Sequence, residues 1–599
     1  MTTKETDNPD RLEVLNANLA KIEDLSQRLI GALSQKKTVN PGLQGPGQDL
    51  YMKAASAYMA EMMSHPSKML EHQVGYWGKA LKHYIEAQEN LAKGKLAPPE
   101  DTGPSDRRFS NPLWDEHPYF NFIKQQYLFS ADAISQATQD LEGLDDTDSK
   151  RVKYFTQHII DMMSTANFFG TNPEALAKAA ETDGQSLVDG LENLVRDIEA
   201  SNGELLVTLA DKNAFEVGKN IGTSEGSVVF RNELFELIQY TPTTETVHKT
   251  PLVIFPPWIN KFYIMDLKPK NSLIKWIVDQ GYTLFVVAWK NPDTSYRDVG
   301  MGDYVEKGYL TAMNEVKAIT GEDQLNVVGY CIAGTTLALT LALLEKRGDK
   351  TVKSATFFTT LTDFEDQGEV GVFLSNDFVD SIEDEVQKTG VLESFIMSRT
   401  FSYLRSNDLI YGPAIRSYML GEAPPAFDLL FWNGDGTNLP ARMVIEYLRG
   451  LCQENRFAGD GFEILGETLK LNEVKVPMCA IACESDHIAA WKTSFEGVRK
   501  MGSRSKTFIL SESGHIAGII NPPSKKKYGH YTNADMSGDA DAWLEGAEFH
   551  DGSWWPTWDT WLSKRAGKQV PARAPGADKT HPVLGPAPGT YVTEKPEIA

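Results

Sequence analysis

The stretch that decides the fold is Gln324 to Gly348, QLNVVGYCIAGTTLALTLALLEKRG. A β-branched apolar run ends at Gly329, Tyr330 and Cys331 follow, and a long helix of Ala, Leu and Thr begins at once. Strand, sharp turn, helix is the setting of a nucleophile elbow, in which small flanking residues hold the reactive atom at the turn tip. Gly329 permits the tight backbone and Gly334 the close packing of helix on strand. The helix N-terminus offers N–H groups and a dipole that favour a thiolate. Cys331 is therefore the expected nucleophile. One departure stands beside it. The common pattern is G-x-nucleophile-x-G, and the last place is Ala333, with glycine one residue further on.

A thiol needs a base, and the base needs a group to orient it. On this type of scaffold the acid follows a late strand and the histidine follows the last one. PMCAIACESDHIAAW ends a strand-like run at Ala482 and delivers Asp486 into a loop, while KTFILSESGHIAG delivers His515 between Gly514 and Gly518. His487, next to Asp486, is a supporting loop residue or a second base. The oxyanion hole is expected from the N–H of Ile332 and from the loop FPPWINKFY. Pro256 and Pro257 have no N–H, which leaves Trp258 or Ile259 as the second donor.

Outward from the elbow, short apolar runs alternate with amphipathic helical stretches such as Asn271 to Gln280. The runs are Leu205–Ala210, Ser227–Arg231, Phe235–Tyr240, Pro251–Phe255, Tyr282–Trp289, Asn326–Tyr330, Ser354–Thr359, Pro477–Ala482 and Lys506–Ser511. This is the pattern of a largely parallel sheet with helices on both faces. With the elbow, the fold class is α/β, an α/β-hydrolase fold with an inserted cap and a mainly helical N-terminal region. The alternation stops between 363 and 472, in a segment rich in helix formers and aromatics that reads as the cap. The organisation expected is a variable helical segment over 1–100 and a mainly helical domain over 101–240. A catalytic domain over 241–565 and an extended tail over 566–599 follow, the tail a wrap or a loose end. Gly94 to Pro104 reads as a linker. In the first segment Leu12, Leu15, Leu19, Ile22, Leu25 and Leu29 form a helical stripe. A second stretch, with Met52, Met59, Met63, Trp77 and Leu81, is helix packing or a docking face.

The chain has 599 residues and a formal net charge of -23, which disfavours a nucleic-acid partner. No apolar run is long enough to span a bilayer. Only four cysteines occur, Cys331, Cys452, Cys479 and Cys483, and the N-terminus MTTKETDNPD has no signal pattern. A reduced, cytoplasmic location is the expectation. Cys479 and Cys483 read as core filler, and no metal site is expected.

The chain resembles the single-subunit class I polyhydroxyalkanoate synthases. The resemblance rests on RRFSNPLWDEHPYFNFIKQQYL from Arg107, PPWINKFYIMDLKPKNS from Pro256, VVAWKNPD from Val286 and GYCIAGT from Gly329. It continues in FDLLFWNGDGTNLP from Phe427, ESDHIAAW from Glu484, SGHIAGIINPP from Ser513, SWWPTW from Ser553 and GPAPGTYV from Gly585. The family box commonly reads G-x-C-x-G-G, so Ala333 departs here too. The resemblance implies polymerisation of (R)-3-hydroxyacyl-CoA, with 3-hydroxybutyryl-CoA the expected substrate, into polyester with release of CoA. Cys331 would carry the acyl chain, His515 would be the base and Asp486 the third member, orienting His515 or activating the substrate hydroxyl. No cofactor is implied, CoA being a leaving group. The implied partners are the growing polyester, a second copy of the chain as a homodimer, the storage-granule surface and phasin-type proteins. Cations for the CoA phosphates are sought at Lys261, Arg405 and Lys525 to Lys527. The rivals are an esterase or polyester depolymerase on the same scaffold, and a non-enzymatic granule-coating protein. DLLFWNGDGTN, with Trp432, Asn433 and Asp435, reads as cap packing and interface.

Overall fold

The computed structural model describes residues 9–34, 40, 43, 48–64, 66–92, 106–139, 141, 143–201 and 203–595. The chain divides into two compact units: Met1–Asp211 with Arg399–Pro425, and Lys212–Ser398 with Ala426–Ala599.

The second unit is built on an eleven-stranded sheet. Its strands are β1 (Gly226–Arg231), β2 (Phe235–Tyr240), β3 (Leu252–Phe255), β4 (Leu284–Trp289), β5 (Leu325–Tyr330) and β6 (Val352–Phe358). They continue as β7 (Met478–Cys483), β8 (Lys506–Ser511), β9 (His530–Thr532), β10 (Glu548–His550) and β11 (Gly585–Pro586). The spatial order is β10-β9-β8-β7-β6-β5-β3-β4-β2-β1-β11. From β4 through β3, β5, β6 and β7 to β8 every pairing is parallel, and the flanking pairs are antiparallel. The strands β3, β4, β5 and β7 are buried at every position. They are covered on both faces, which is why they read as unbroken apolar runs. The α/β architecture expected from the sequence is present.

The parallel register brings the carboxyl ends of β3, β5, β7 and β8 to one edge. Gly329 lies opposite both Phe255 and Phe357, and Cys483 lies opposite Ser511. Ligand chemistry on open α/β sheets belongs at this edge. After β6 the chain leaves the sheet and returns only at β7. The intervening residues form helices, such as Asn376–Thr389, a two-stranded antiparallel pairing of Val391–Leu392 with Leu439–Pro440, and a small hairpin of Phe462–Ile464 with Glu467–Leu469. The tail wraps the sheet. Gln569–Pro571 pairs with Thr246–His248, β11 closes the edge at β1, and Tyr591 and Val592 are buried.

Leu205–Ala210 forms no strand, contrary to expectation. The segment lies in the first unit, and its Thr208 is taken up by a side chain. Asp197 accepts from the Thr208 N–H at 3.0 Å and from its hydroxyl at 2.7 Å. The first unit is otherwise helical, with Pro9–Ser34, Gln48–Ser64, Pro66–Ala92, Pro118–Gln139, Asp146–Met162 and Gln185–Ala200 as its long elements. Leu25 is buried, whereas Leu19, Ile22, Met52, Met59, Met63, Trp77 and Leu81 face solvent. The linker expected at Gly94 to Pro104 lies outside the described residues.

Candidate functional site

Cys331 sits where β5 turns into the helix Ile332–Lys346, with φ 54° and ψ −128°. A non-glycine residue in that region stores about 1–3 kcal/mol and persists only when its neighbours over-determine it. They do so here. The Cys331 N–H donates to the Phe358 carbonyl at 2.8 Å, so the β5–β6 ladder runs up to the nucleophile. The Cys331 carbonyl accepts from the Gly334 N–H at 2.8 Å and from the Thr360 hydroxyl at 3.2 Å.

The two glycines of the turn are required by contact. A Cβ on Gly329 would lie 2.6 Å from Gly334 Cα, and one on Gly334 would lie 2.0 Å from Thr360 Oγ1. Ala333 has no such demand: it is fully buried without a positive φ, and its carbonyl accepts from the Tyr309 hydroxyl at 2.8 Å. The departure from the usual pattern is thus absorbed, because the tight approach falls on residue 334.

Asp486 and His515, 29 residues apart in the chain, meet at 2.7 Å between Oδ2 and Nδ1. The other carboxylate oxygen accepts from the N–H groups of Ile488 and Ala489, at 2.8 and 2.9 Å. The Asp486 side chain is fully buried. Burial by itself pulls the His515 imidazole down. The charge of Asp486, the Cys331 sulfur and the hydrogen bonds to both outweigh it, and His515 stands well above the usual histidine range. Cys331 remains partly exposed, whereas Cys452, Cys479 and Cys483 are buried. Burial pushes the Cys452 thiol up to about 12 and raises the Cys479 and Cys483 thiols as well. Among the described residues, no group of three His, Cys, Asp or Glu is placed to hold a metal ion.

His487 is half-buried in the same loop, where the Asp486 carboxylate turns to His515. Ile332 opens the helix after the nucleophile, and as its first residue its N–H has no carbonyl of that helix to meet. Trp258 and Ile259 are buried in the loop after β3. The indole N–H of Trp258 donates to Thr336 Oγ1 on the nucleophile helix at 3.2 Å, and Trp289 donates to the Pro256 carbonyl at 2.8 Å. The structure thus gathers Cys331, Asp486, His515, Ile332, Trp258 and Ile259 in one unit, around the carboxyl edge of the sheet.

Lys261 is not a phosphate-binding cation in this structure. It is buried, and its ammonium pairs with Asp435 at 2.9 Å. Burial pulls the ammonium down, against the pull of Asp435. Lys525, Lys526 and Lys527 are exposed, and Arg405 belongs to the first unit.

Some site neighbours escape sequence reasoning. Tyr447 packs edge-on against Trp258, centroids 5.7 Å apart, and burial with the Cys452 and Cys331 sulfurs raises its phenol. Trp554 and Trp555, on the segment that opens the helix Trp555–Ser563, donate to the carbonyls of Gly518 and Ile519 at 2.8 and 2.9 Å. They hold the loop that carries His515. The triple tryptophan of SWWPTW was the available signal, because buried indoles need N–H acceptors.

A family model described as the N-terminus of poly-beta-hydroxybutyrate polymerase matches residues 105–277, and one described as the alpha/beta hydrolase fold matches 252–522. The chain is 40% identical to a poly(3-hydroxyalkanoate) polymerase of Methylorubrum extorquens, over 92% of this chain and 93% of that one. It is 36% identical to a poly(3-hydroxyalkanoate) polymerase subunit of Rhizobium etli, over 97% of this chain and 92% of that one. The corresponding subunit of Cupriavidus necator is 38% identical over 86% of this chain and 87% of its own. With such identity along nearly its whole length, the chain belongs to the poly(3-hydroxyalkanoate) polymerase family.

Proposed function

We propose that the chain polymerises (R)-3-hydroxyacyl-CoA, with 3-hydroxybutyryl-CoA as the preferred monomer, and carries the growing polyester as a thioester on Cys331. The observation that carries this reading is the strained Cys331 at the elbow, with His515 and its buried partner Asp486 beside it. Identity to named polymerases over most of the chain supports it.

The Cys331 thiolate adds to the carbonyl of the acyl-CoA thioester, and the oxyanion collects the N–H of Ile332 and of Trp258 or Ile259. Collapse expels CoA, which takes its proton from the His515 imidazolium. The 3-hydroxyl of an incoming acyl-CoA then gives its proton to His515 and attacks the chain on Cys331. An ester forms, the C–S bond breaks, and the Cys331 thiolate is released. The lengthened acyl-CoA returns to Cys331 with loss of CoA, so each cycle consumes one monomer and frees one CoA. Asp486 acts by orienting His515. Both its oxygens are committed, one to His515 and one to two backbone N–H groups, and none of its side chain reaches solvent. No step calls for a metal or a resident cofactor.

Homodimerisation and residence on the polyester granule, with phasin-type proteins on the same surface, complete the reading, and exposed apolar helix residues such as Met63 and Trp77 are in keeping with it. Supplying 3-hydroxybutyryl-CoA while following free CoA and turbidity together tests the activity. CoA release with rising turbidity is the expected result, and CoA release with only free 3-hydroxybutyrate would make the protein a hydrolase. A Cys331→Ala chain that still forms granules in a host lacking its own synthase would make it a coat protein.

A further inference from the structure

We infer that Asp435 is a positioning residue for the oxyanion loop, so that the segment between β6 and β7 sets the geometry of the hole. This rests on the reading that Trp258 or Ile259 supplies an oxyanion donor.

The loop after β3 is pinned from two directions. From the sheet side, Trp289 holds the Pro256 carbonyl and Thr336 holds the Trp258 indole. Further holds come from the inserted segment. The Thr437 N–H donates to the Ile259 carbonyl at 3.1 Å, and the Trp432 indole N–H donates to the Lys261 carbonyl at 2.7 Å. The Asp435 carboxylate then grips the loop by two side chains at once: Oδ1 accepts from Lys261 Nζ at 2.9 Å and Oδ2 from the Tyr263 hydroxyl at 2.8 Å.

The grip is a buried one. The Lys261 and Asp435 side chains are only 5% and 13% exposed, so both charges are largely shielded from water. Such a pair adds little net stability compared with an apolar replacement but holds a defined geometry. A hole needs that, because its donors must lie within a few tenths of an ångström of the forming oxyanion. The carboxylate spans residues 261 and 263, two and four positions after Ile259. Its loss removes two of these ties and leaves the Thr437 and Trp432 hydrogen bonds to hold that end of the loop.

The test compares wild type, Asp435→Asn, Tyr263→Phe and Cys331→Ala in the full-length protein. It reads kcat per titrated active site, KM for 3-hydroxybutyryl-CoA, and the rate at which iodoacetamide alkylates Cys331. Alkylation needs the thiolate and no oxyanion hole, and the other three thiols are buried. Asp435→Asn should lower kcat by about tenfold or more, a part of the ~100-fold or greater loss that follows removal of a donor, with KM and alkylation rate unchanged. Tyr263→Phe keeps the ion pair and should show the same pattern at smaller size; it decides the matter if Asp435→Asn does not fold. Wild-type kcat in the folded variants, or kcat and alkylation falling together, overturns the inference. An active Cys331→Ala would instead overturn the reading of the nucleophile, independently of Asp435.

Discussion

At the scale of the residue, the site depends on charges held out of water. His515 stands well above its ordinary range in the folded chain, since Asp486 and Cys331 outweigh its burial. A raised folded value means that the folded state binds the proton more tightly than the unfolded one. The resulting stability is fully present below the unfolded value of about 6.5 and is lost as pH rises through the folded value. Unfolding in denaturant at a series of pH values should show wild type losing stability relative to His515→Gln above pH ~6.5; a constant difference would contradict the assigned charge. Cys331, His515 and Asp486 were legible in the sequence because each follows an apolar run at a glycine-rich or acidic turn. The tie made by Asp435 was not: the sequence marks that residue only as cap packing and interface, and its partners Lys261 and Tyr263 lie more than 170 residues away.

Among the elements, the central strands were plain in the sequence for a physical reason: buried on both faces, they contain almost nothing polar. β9, β10 and β11 were missed, being two or three residues long and too short for any periodicity. Leu205–Ala210 has the composition of a strand but no neighbour to pair with, and composition alone does not supply a partner. The Trp555–Ser563 helix and the indole that precedes it show how an element far along the chain serves the site. Trp554→Phe keeps the ring in the core and deletes the donor to the Gly518 carbonyl. The expected cost is about 1–2 kcal/mol of stability, for one buried hydrogen bond. A fall in kcat with unchanged KM should accompany it, because the loop bearing His515 loses one of its ties. Thermal unfolding and steady-state rates on the same preparation check both.

For the whole molecule, the tail is part of the fold. Glu236 is fully buried on β2, and one of its oxygens accepts from the N–H groups of Thr590 and Tyr591 at 2.8 and 3.0 Å. Deleting residues from 584 onward removes both donors and the edge strand β11. Arg231 still pairs with the other Glu236 oxygen in the shortened chain, so the account predicts a loss on the order of 3 kcal/mol in denaturant unfolding, the worth of two hydrogen bonds to a charged group. A wrap and a loose end were equally open from the Pro- and Gly-rich composition, which describes backbone stiffness and not what the backbone meets. The central claim is that Cys331 carries the polyester, and the peptide containing it reports on this directly. After a brief reaction with 3-hydroxybutyryl-CoA and an acid quench, mass spectrometry should find that peptide heavier by whole 3-hydroxybutyryl units. The added mass should disappear on treatment with hydroxylamine and be absent from His515→Gln. An unmodified Cys331 peptide during turnover, or acyl units on another residue, would contradict the account.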